Sequence, residues 1–149
     1  MKWVTRERVK VDRVACPWLI RRFIDRDATF LFVPPDQVAA IAKHEGATPF
    51  DVEGAELGHH GDHCSFDAFL GRYGLDKDPA MQRLGLIVRG ADTNRSELAP
   101  EAAGLKAIAH GLAGMGYSDQ RLLEIQFPLY DALYLQCGGP APESGMGVP

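Results

Sequence analysis

The run Gly58-His59-His60-Gly61-Asp62-His63-Cys64-Ser65-Phe66-Asp67 concentrates the groups that hold metals, with three of the five histidines and one of the three cysteines. Imidazole nitrogen and thiolate sulfur are ligands for zinc, iron and copper. Gly58 and Gly61 flank the histidine pair, argue against a regular helix, and let a loop aim side chains at one point. His59 and His60 lead as ligands, Glu56 or Asp92 is the expected carboxylate, and His63 and Cys64 complete the candidate set. Adjacent residues of an extended loop point to opposite sides. One histidine would therefore ligate and the other orient it through its second ring nitrogen, unless a glycine re-aims one of them. Nitrogen and oxygen donors suit iron, zinc or manganese, and sulfur from Cys64 would tilt the choice to zinc, so the expected cofactor is a divalent transition metal, zinc or iron. The paired Cys-x-x-Cys spacing of a structural zinc site is missing. The alternative is that these histidines only hydrogen-bond within the loop and cap the next helix.

A second chemical feature lies near the start. Residues 1–26 hold eight Lys or Arg against three Asp or Glu, although the whole chain carries a formal charge of −4. Arg6, Arg8, Arg13, Arg21 and Arg22 form a candidate surface for a small oxyanion, or else a solvated face with surface ion pairs. Pro17 marks a helix start and puts Cys16 at its cap. A thiol there, beside arginines, has its thiolate favoured by the dipole, which makes Cys16 the candidate catalytic sulfur and more reactive than Cys137 at a helix end. The alternative is a cysteine buried beside Trp18.

The elements that must position these groups follow in order. Trp3-Val4-Thr5 and Val9-Lys10-Val11 read as short strands, and Leu19, Ile20, Phe23 and Ile24 share the inward face of the helix after them. Thr29-Phe30-Leu31-Phe32-Val33 reads as a central buried strand, a helix follows to Gly46, and Phe50-Asp51-Val52 leads as a strand into the histidine loop. Ser65 can cap a short helix with Phe66, Phe69 and Leu70. From there on the chain reads as helical. One helix starts at Asp78-Pro79, and another follows Pro100 with Leu105, Ile108 and Leu112 facing in. The last starts at Ser118 and is kinked at Pro128. Asp92 ends its helix at the carbonyl pole and needs a compensating cation, which Arg89, Arg95 or a metal could supply. The fold expected is α+β, with a small β-sheet from the N-terminal third packed against a mostly helical C-terminal part. Residues 1–137 form a single domain and 138–149, rich in Gly and Pro, a flexible tail.

Composition narrows the classes. With 149 residues, 46% hydrophobic and 24% charged, the chain suits one globular domain. No apolar run reaches transmembrane length and the first residues turn charged too soon for a secretory signal, so a cytoplasmic protein with no membrane partner is expected. Three cysteines fit free thiols in a reducing compartment. No glycine loop for nucleotide phosphates occurs and no nucleic-acid-reading element is evident, so neither a nucleotide cofactor nor nucleic acid is expected; a second copy of the chain stays open as a partner.

The segments Lys2-Trp3-Val4-Thr5-Arg6, Asp12-Arg13-Val14-Ala15-Cys16-Pro17-Trp18-Leu19-Ile20-Arg21-Arg22-Phe23-Ile24-Asp25, Phe50-Asp51-Val52, Glu56-Leu57-Gly58-His59-His60-Gly61, Cys64-Ser65-Phe66-Asp67, Val88-Arg89-Gly90-Ala91-Asp92 and Tyr130-Asp131-Ala132-Leu133-Tyr134 resemble the ChrB-type chromate resistance domain over nearly the whole chain. The resemblance is to the stand-alone form rather than to the regulator with its DNA-reading N-terminal region or to the fusion with a rhodanese-like enzyme. It implies a role in chromate resistance or response, with a chromate-like oxyanion as partner. Three readings stay open. One is a metal- or oxyanion-binding domain using the histidine loop and the arginines. The others are a metal-dependent enzyme with an open coordination position, and a helical interaction domain with no site.

Overall fold

The computed structural model describes residues 1–143, and residues 144–149 of the expected tail lie outside the described residues. The architecture is α+β. Strand β1 (Lys2–Arg6) is central in a three-stranded sheet, between β2 (Thr29–Val33) and the two-residue β3 (Thr48–Pro49), so the run over 29–33 is an edge strand and mostly half-buried rather than the central buried strand expected. Both pairings are parallel, with Trp3 opposite Phe30 and Thr48. A parallel neighbour demands a crossover, and helices supply it: α1 (Asp12–Leu19) between β1 and β2, α2 (Val38–Glu45) between β2 and β3.

Period-two alternation along β1 divides the interior. Trp3 enters the main core, while Val4 turns to the other face and packs with Val38 and Ala47 beneath α2. On the main-core side, α1 packs on α3 (Ser65–Arg72) and α6 (Asp119–Gln136), and α4 (Pro79–Asp92) packs against α3, α5 (Ala102–Ala113) and α6. Trp18, Phe50, Phe66, Phe69, Phe127 and Tyr130 are fully buried there. The apolar stripe read from the sequence explains this packing, except that Ala109 completes the inner face of α5 while Ile108 is exposed.

Four local expectations are corrected. Val9 and Val11 alternate without forming a strand. Arg8 at φ 63 turns the chain, and the Asp119 carboxylate accepts the Arg8 and Val9 N–H groups that a ladder would have used. Pro17 lies inside α1 rather than at its start. The helix begins at Asp12 because tertiary partners fix that end, and the proline, lacking an N–H, is followed by a π-helical turn over Ile20–Ile24. The short third strand stops at Pro49, since Asp51 at φ 47 leaves the extended region. At α3 the cap is Cys64, whose N–H donates to Asp67 Oδ2 at 3.0 Å, and Ser65 is the first helical residue. The remaining caps follow the sequence reading: Asp78 accepts the Ala80 N–H ahead of Pro79, and Ser118 accepts the Arg121 N–H.

Candidate metal centre

Four elements converge on one imidazole. His59 Nε2 stands 3.4 Å from Asp12 Oδ2, 3.2 Å from Asp51 Oδ1 and 3.1 Å from Asp92 Oδ2. Asp12 opens α1, Asp51 follows β3, His59 comes from the loop and Asp92 ends α4.

Each carboxylate is held by backbone geometry that the sequence makes available. Asp12 is buried, yet its Oδ2 accepts the Ser65 N–H at 2.7 Å and its Oδ1 the Phe66 N–H at 3.1 Å. These are the orphan donors of the first turn of α3, so the positive end of that helix stabilises the charge. Asp92 stands at the carbonyl pole of its own helix, the awkward place noted from the sequence. Its Oδ1 accepts the Asp12 N–H at 3.3 Å, at the start of α1, and its Oδ2 faces His59. The compensation therefore comes from another helix start and an imidazole, while Arg89 pairs with Asp67 and Arg95 with Asp62 and Glu97. Asp51 accepts the Ser65 hydroxyl at 2.8 Å on Oδ1 and faces Arg6 Nη2 and Arg13 Nη1, both at 3.3 Å, on Oδ2. Arg6 Nε also donates to the Asp51 carbonyl at 2.9 Å, which ties the turn to β1.

The loop brings His59 in through Gly58. A Cβ at that glycine would meet the Val52 carbonyl oxygen at 2.9 Å and that of Ala55 at 3.0 Å, so a side chain there would push the loop outward. Past His59 the chain reverses tightly, with His60 and His63 exchanging both backbone hydrogen bonds at 3.1 Å across Gly61 at φ 65.

Charges in this cluster shape one another. Hydrogen bonds to Asp12 and then Asp51 outweigh desolvation and push the His59 pKa up to about 10. Burial is the largest influence on Asp92, raised to about 7, with repulsion from Asp12 and Asp51 adding to it. Burial also raises Asp12, against the pull of His59. Asp51 experiences the same burial, but His59, Arg13, Ser65 and Arg6 together hold its carboxyl below the usual range. The centre is thus an excess of carboxylate around a single imidazole. Arg6 and Arg13 pair with Asp51, so the two carboxylates they do not touch, Asp12 and Asp92, share one imidazolium and are held above the usual carboxylate range, mainly by burial.

A divalent metal fits this donor set. Oxygens of Asp12 and Asp92 and a ring nitrogen of His59 lie within 4.8 Å of one another, and His59, with its side chain 44% exposed, leaves one side open to solvent. Two carboxylates and one imidazole suit iron, manganese or zinc. Asp51 and Ser65 would position the set, and Arg6 and Arg13 stand immediately behind Asp51.

Of the residues singled out in the sequence, His59 and Asp92 meet here. His60 Nε2 lies 2.7 Å from the Glu56 carbonyl oxygen, and His63 is exposed on the hairpin near Asp62. Glu56 points outward, 3.5 Å from Arg72. Cys64 is buried beside Asp67, and burial, with Asp12 and Asp67 nearby, pushes its thiol strongly up. Cys16 sits in the second turn of α1, where its Sγ donates to Asp12 Oδ1 at 3.6 Å. Burial and then Asp12 keep that thiol protonated, so the helix-start argument for its reactivity loses its geometry. Arg6 and Arg13 reach the centre through Asp51, and the Arg8 carbonyl accepts from Arg13. Arg21 and Arg22 lie elsewhere: Arg21 donates to the Ala28 carbonyl and Arg22 pairs with Asp131 at 2.9 Å. Asp12 and Asp51 were not among the candidates. The signal that could have found them is a carboxylate set among apolar residues, as in Val11-Asp12 and Phe50-Asp51-Val52, where burial demands a partner.

Comparison with known proteins adds the family. The profile described as "ChrB, C-terminal domain" matches residues 3–137. Protein ChrB of Cupriavidus metallidurans (strain ATCC 43123 / DSM 2839 / NBRC 102507 / CH34) is 38% identical over 139 residues, which cover 93% of this chain and 41% of that relative. The chain thus spans about two fifths of the curated relative it matches. No solved structure matches.

Proposed function

Because the chain belongs to the family of the ChrB C-terminal domain, we propose that it serves chromate resistance as a metal-binding domain whose centre is Asp12, His59 and Asp92. The observation that carries this reading is the convergence of two carboxylates and an imidazole, one side open, with both carboxyl groups pushed up by burial. A divalent ion held there would supply Lewis acidity and the positive charge that the aspartates lack. The chain's own residues do the positioning. Asp12 is fixed by the first turn of α3, Asp92 by the first turn of α1, and Asp51 by Ser65, Arg6 and Arg13. His59 must give up its proton to ligate, so binding tightens as pH rises.

The oxyanion belongs to the same reading as a ligand of the loaded centre. The carboxylates alone repel a dianion; with an ion in place, Arg6 and Arg13 leave the surroundings net attractive to one. Openness at His59 also suits a metal-dependent enzyme, which turnover by the loaded protein would distinguish from simple binding.

The test is metal content after purification without chelator, followed by calorimetric titration with zinc, ferrous and manganous ions. His59→Ala and Asp92→Asn are expected to weaken binding by at least about 10-fold, whereas His60→Ala, His63→Ala and Cys64→Ala retain it. A parent that takes up none of the three ions, or a His59→Ala variant that binds as the parent does, overturns the reading. Chromate titration of the loaded protein against Arg13→Gln then tests the oxyanion.

A further inference from the structure

At the far end of α1, the chain builds a second concave feature that the metal centre does not use. A cavity of about 370 Å³ lies between the π-helical turn over Ile20–Ile24, the end of α6, and residues 140–143. Its apolar wall is a triangle of rings. Trp18 and Phe23 are 5.6 Å apart, Trp18 and Tyr134 5.8 Å, and Phe23 and Tyr134 5.5 Å, all edge to face. Its polar wall is basic. Arg21 and Arg26 line it along with Arg22, whose charge is matched by Asp131.

Carboxylates also line this cavity, but they are engaged. Asp25 is taken by the chain's amino terminus at 3.0 Å and by the Trp3 indole at 2.9 Å, and Asp131 by Arg22 and the Trp18 indole. Among the described residues, Arg26, its side chain 67% exposed, has a 3.6 Å contact with the still more exposed Glu143. Arg21 donates to the Ala28 carbonyl from one end of its guanidinium, while among the described residues its buried Nε has no hydrogen-bond partner. Burial and then the charge of Arg22 disfavour the Arg21 cation, against the pull of Asp25 and Asp27.

The segment over the cavity is held in a specific course. Gly138 adopts φ 108, and a Cβ on Gly139 would lie 2.4 Å from the Tyr134 ring, so only glycine lets the chain fold back onto that ring. Gly139 N–H then donates to the Tyr134 carbonyl at 3.0 Å, and Pro140 and Pro142 stiffen the stretch that brings Glu143 to Arg26. A carboxylate on a proline-stiffened strap meets the loosely paired arginine at the rim.

We propose that this groove binds a small organic anion with a flat apolar body, which lies against the exposed ring of Phe23, backed by Trp18 and Tyr134, with its acid group toward Arg21 and Arg26 and residues 140–143 over it. The volume is that of a small-molecule site, and the combination of ring faces with a few convergent donors is the usual makeup of one. A π-helical turn, a common companion of functional sites, forms one wall and displays Arg21 and Phe23 together. In the free protein Glu143 stands where the ligand's acid group would go, so ligand and strap carboxylate compete for Arg26.

The probe is 1-anilinonaphthalene-8-sulfonate, an aromatic sulfonate, with uncharged N-phenyl-1-naphthylamine as its control. Binding to the full chain is followed by probe fluorescence and by the NMR signal of the Trp18 indole N–H. One-to-one binding that moves this signal is expected, about 5-fold weaker for the uncharged compound and for both Phe23→Ala and Arg26→Gln, and about 2-fold tighter in Glu143→Gln. Phe23 and Arg26 are both exposed at the rim, so these variants keep the fold. His59→Ala is expected to bind the probe as the parent does, which separates this groove from the metal centre. Absence of binding, equal affinity for the uncharged compound, or indifference to both Phe23→Ala and Arg26→Gln overturns the proposal.

Discussion

The two ends of α1 handle charge in opposite ways. At its start, the buried Asp12 and the half-buried Asp92 are carboxylates received by backbone N–H groups at helix N-termini, around a single imidazole. At its other end, arginines gather where helix carbonyls accumulate, against aromatic faces, with carboxylates already engaged by other donors. Each end follows the helix dipole, acids at the positive pole and bases at the negative. The difference is in what is left over. At the first end Asp12 and Asp92 share one imidazolium, and at the second Arg21 and Arg26 are loosely matched among the described residues, which is why one reads as a metal centre and the other as an anion groove.

Breaking the first end should have the largest effect. Asp12→Ala removes the acceptor of two α3 N–H groups and of the Cys16 thiol at once, and is expected to lower stability by about 3 kcal/mol in urea denaturation. Asp12→Asn, which keeps one acceptor oxygen, should fall between it and the parent. A comparable loss for both would show that the charge, rather than the shape that Asn preserves, matters at that position. Next is the other end. Asp131→Ala strands Arg22, whose side chain is only 5% exposed, and the Trp18 indole, at a cost of about 3 kcal/mol or somewhat less, since Arg22 also has the Phe127 ring.

The pH response sharpens the comparison further. His59 is raised from 6.5 to about 10, so its protonation contributes stability fully present below pH 6.5 and lost as pH rises through 10. Asp92, raised to about 7, has the same sign, with its contribution present below pH 3.8 and lost as pH rises through 7. Asp51, held low, acts oppositely, contributing above pH 3.8 and failing as pH falls through its depressed value. The metal-free chain is therefore expected to lose stability as pH climbs from about 6.5 to 10, seen as a falling urea midpoint. Added zinc should reverse that slope, because the deprotonated cluster is the ligand. A slope unchanged in His59→Ala would assign it to other groups.

Thiol labelling gives a smaller, kinetic contrast. Cys16 and Cys64 are buried with their thiolates disfavoured, whereas Cys137 is partly exposed, so Cys137 should label first and the other two only on unfolding. Smallest of all, His60→Ala on the exposed hairpin should change stability by no more than about 0.5 kcal/mol.

The sequence by itself determined the class of the fold and most of its caps. The extended run at Trp3-Val4-Thr5, the continuous β-prone run over 29–33, helical stripes from residue 65 onward, and the Asp78-Pro79 and Ser118 starts are local preferences that tertiary structure had no reason to oppose. It also pointed to the histidine loop, because clustered imidazoles are conspicuous in one dimension, and to Asp92, because a carboxylate at a helix carbonyl end needs an explanation. Tertiary structure decided which of these residues meet. His59 enters the centre and His60 turns away because Gly58 fits against two carbonyls and Gly61 reverses the chain, contacts invisible in spacing alone. Asp12 and Asp51 became part of the site only through distant partners, the start of α3 for one and Arg6, Arg13 and Ser65 for the other. The start of α1 was likewise fixed by those long-range bonds at Asp12 rather than by Pro17. A proline's preference for the first helical position is worth less than the hydrogen bonds joining two helix ends.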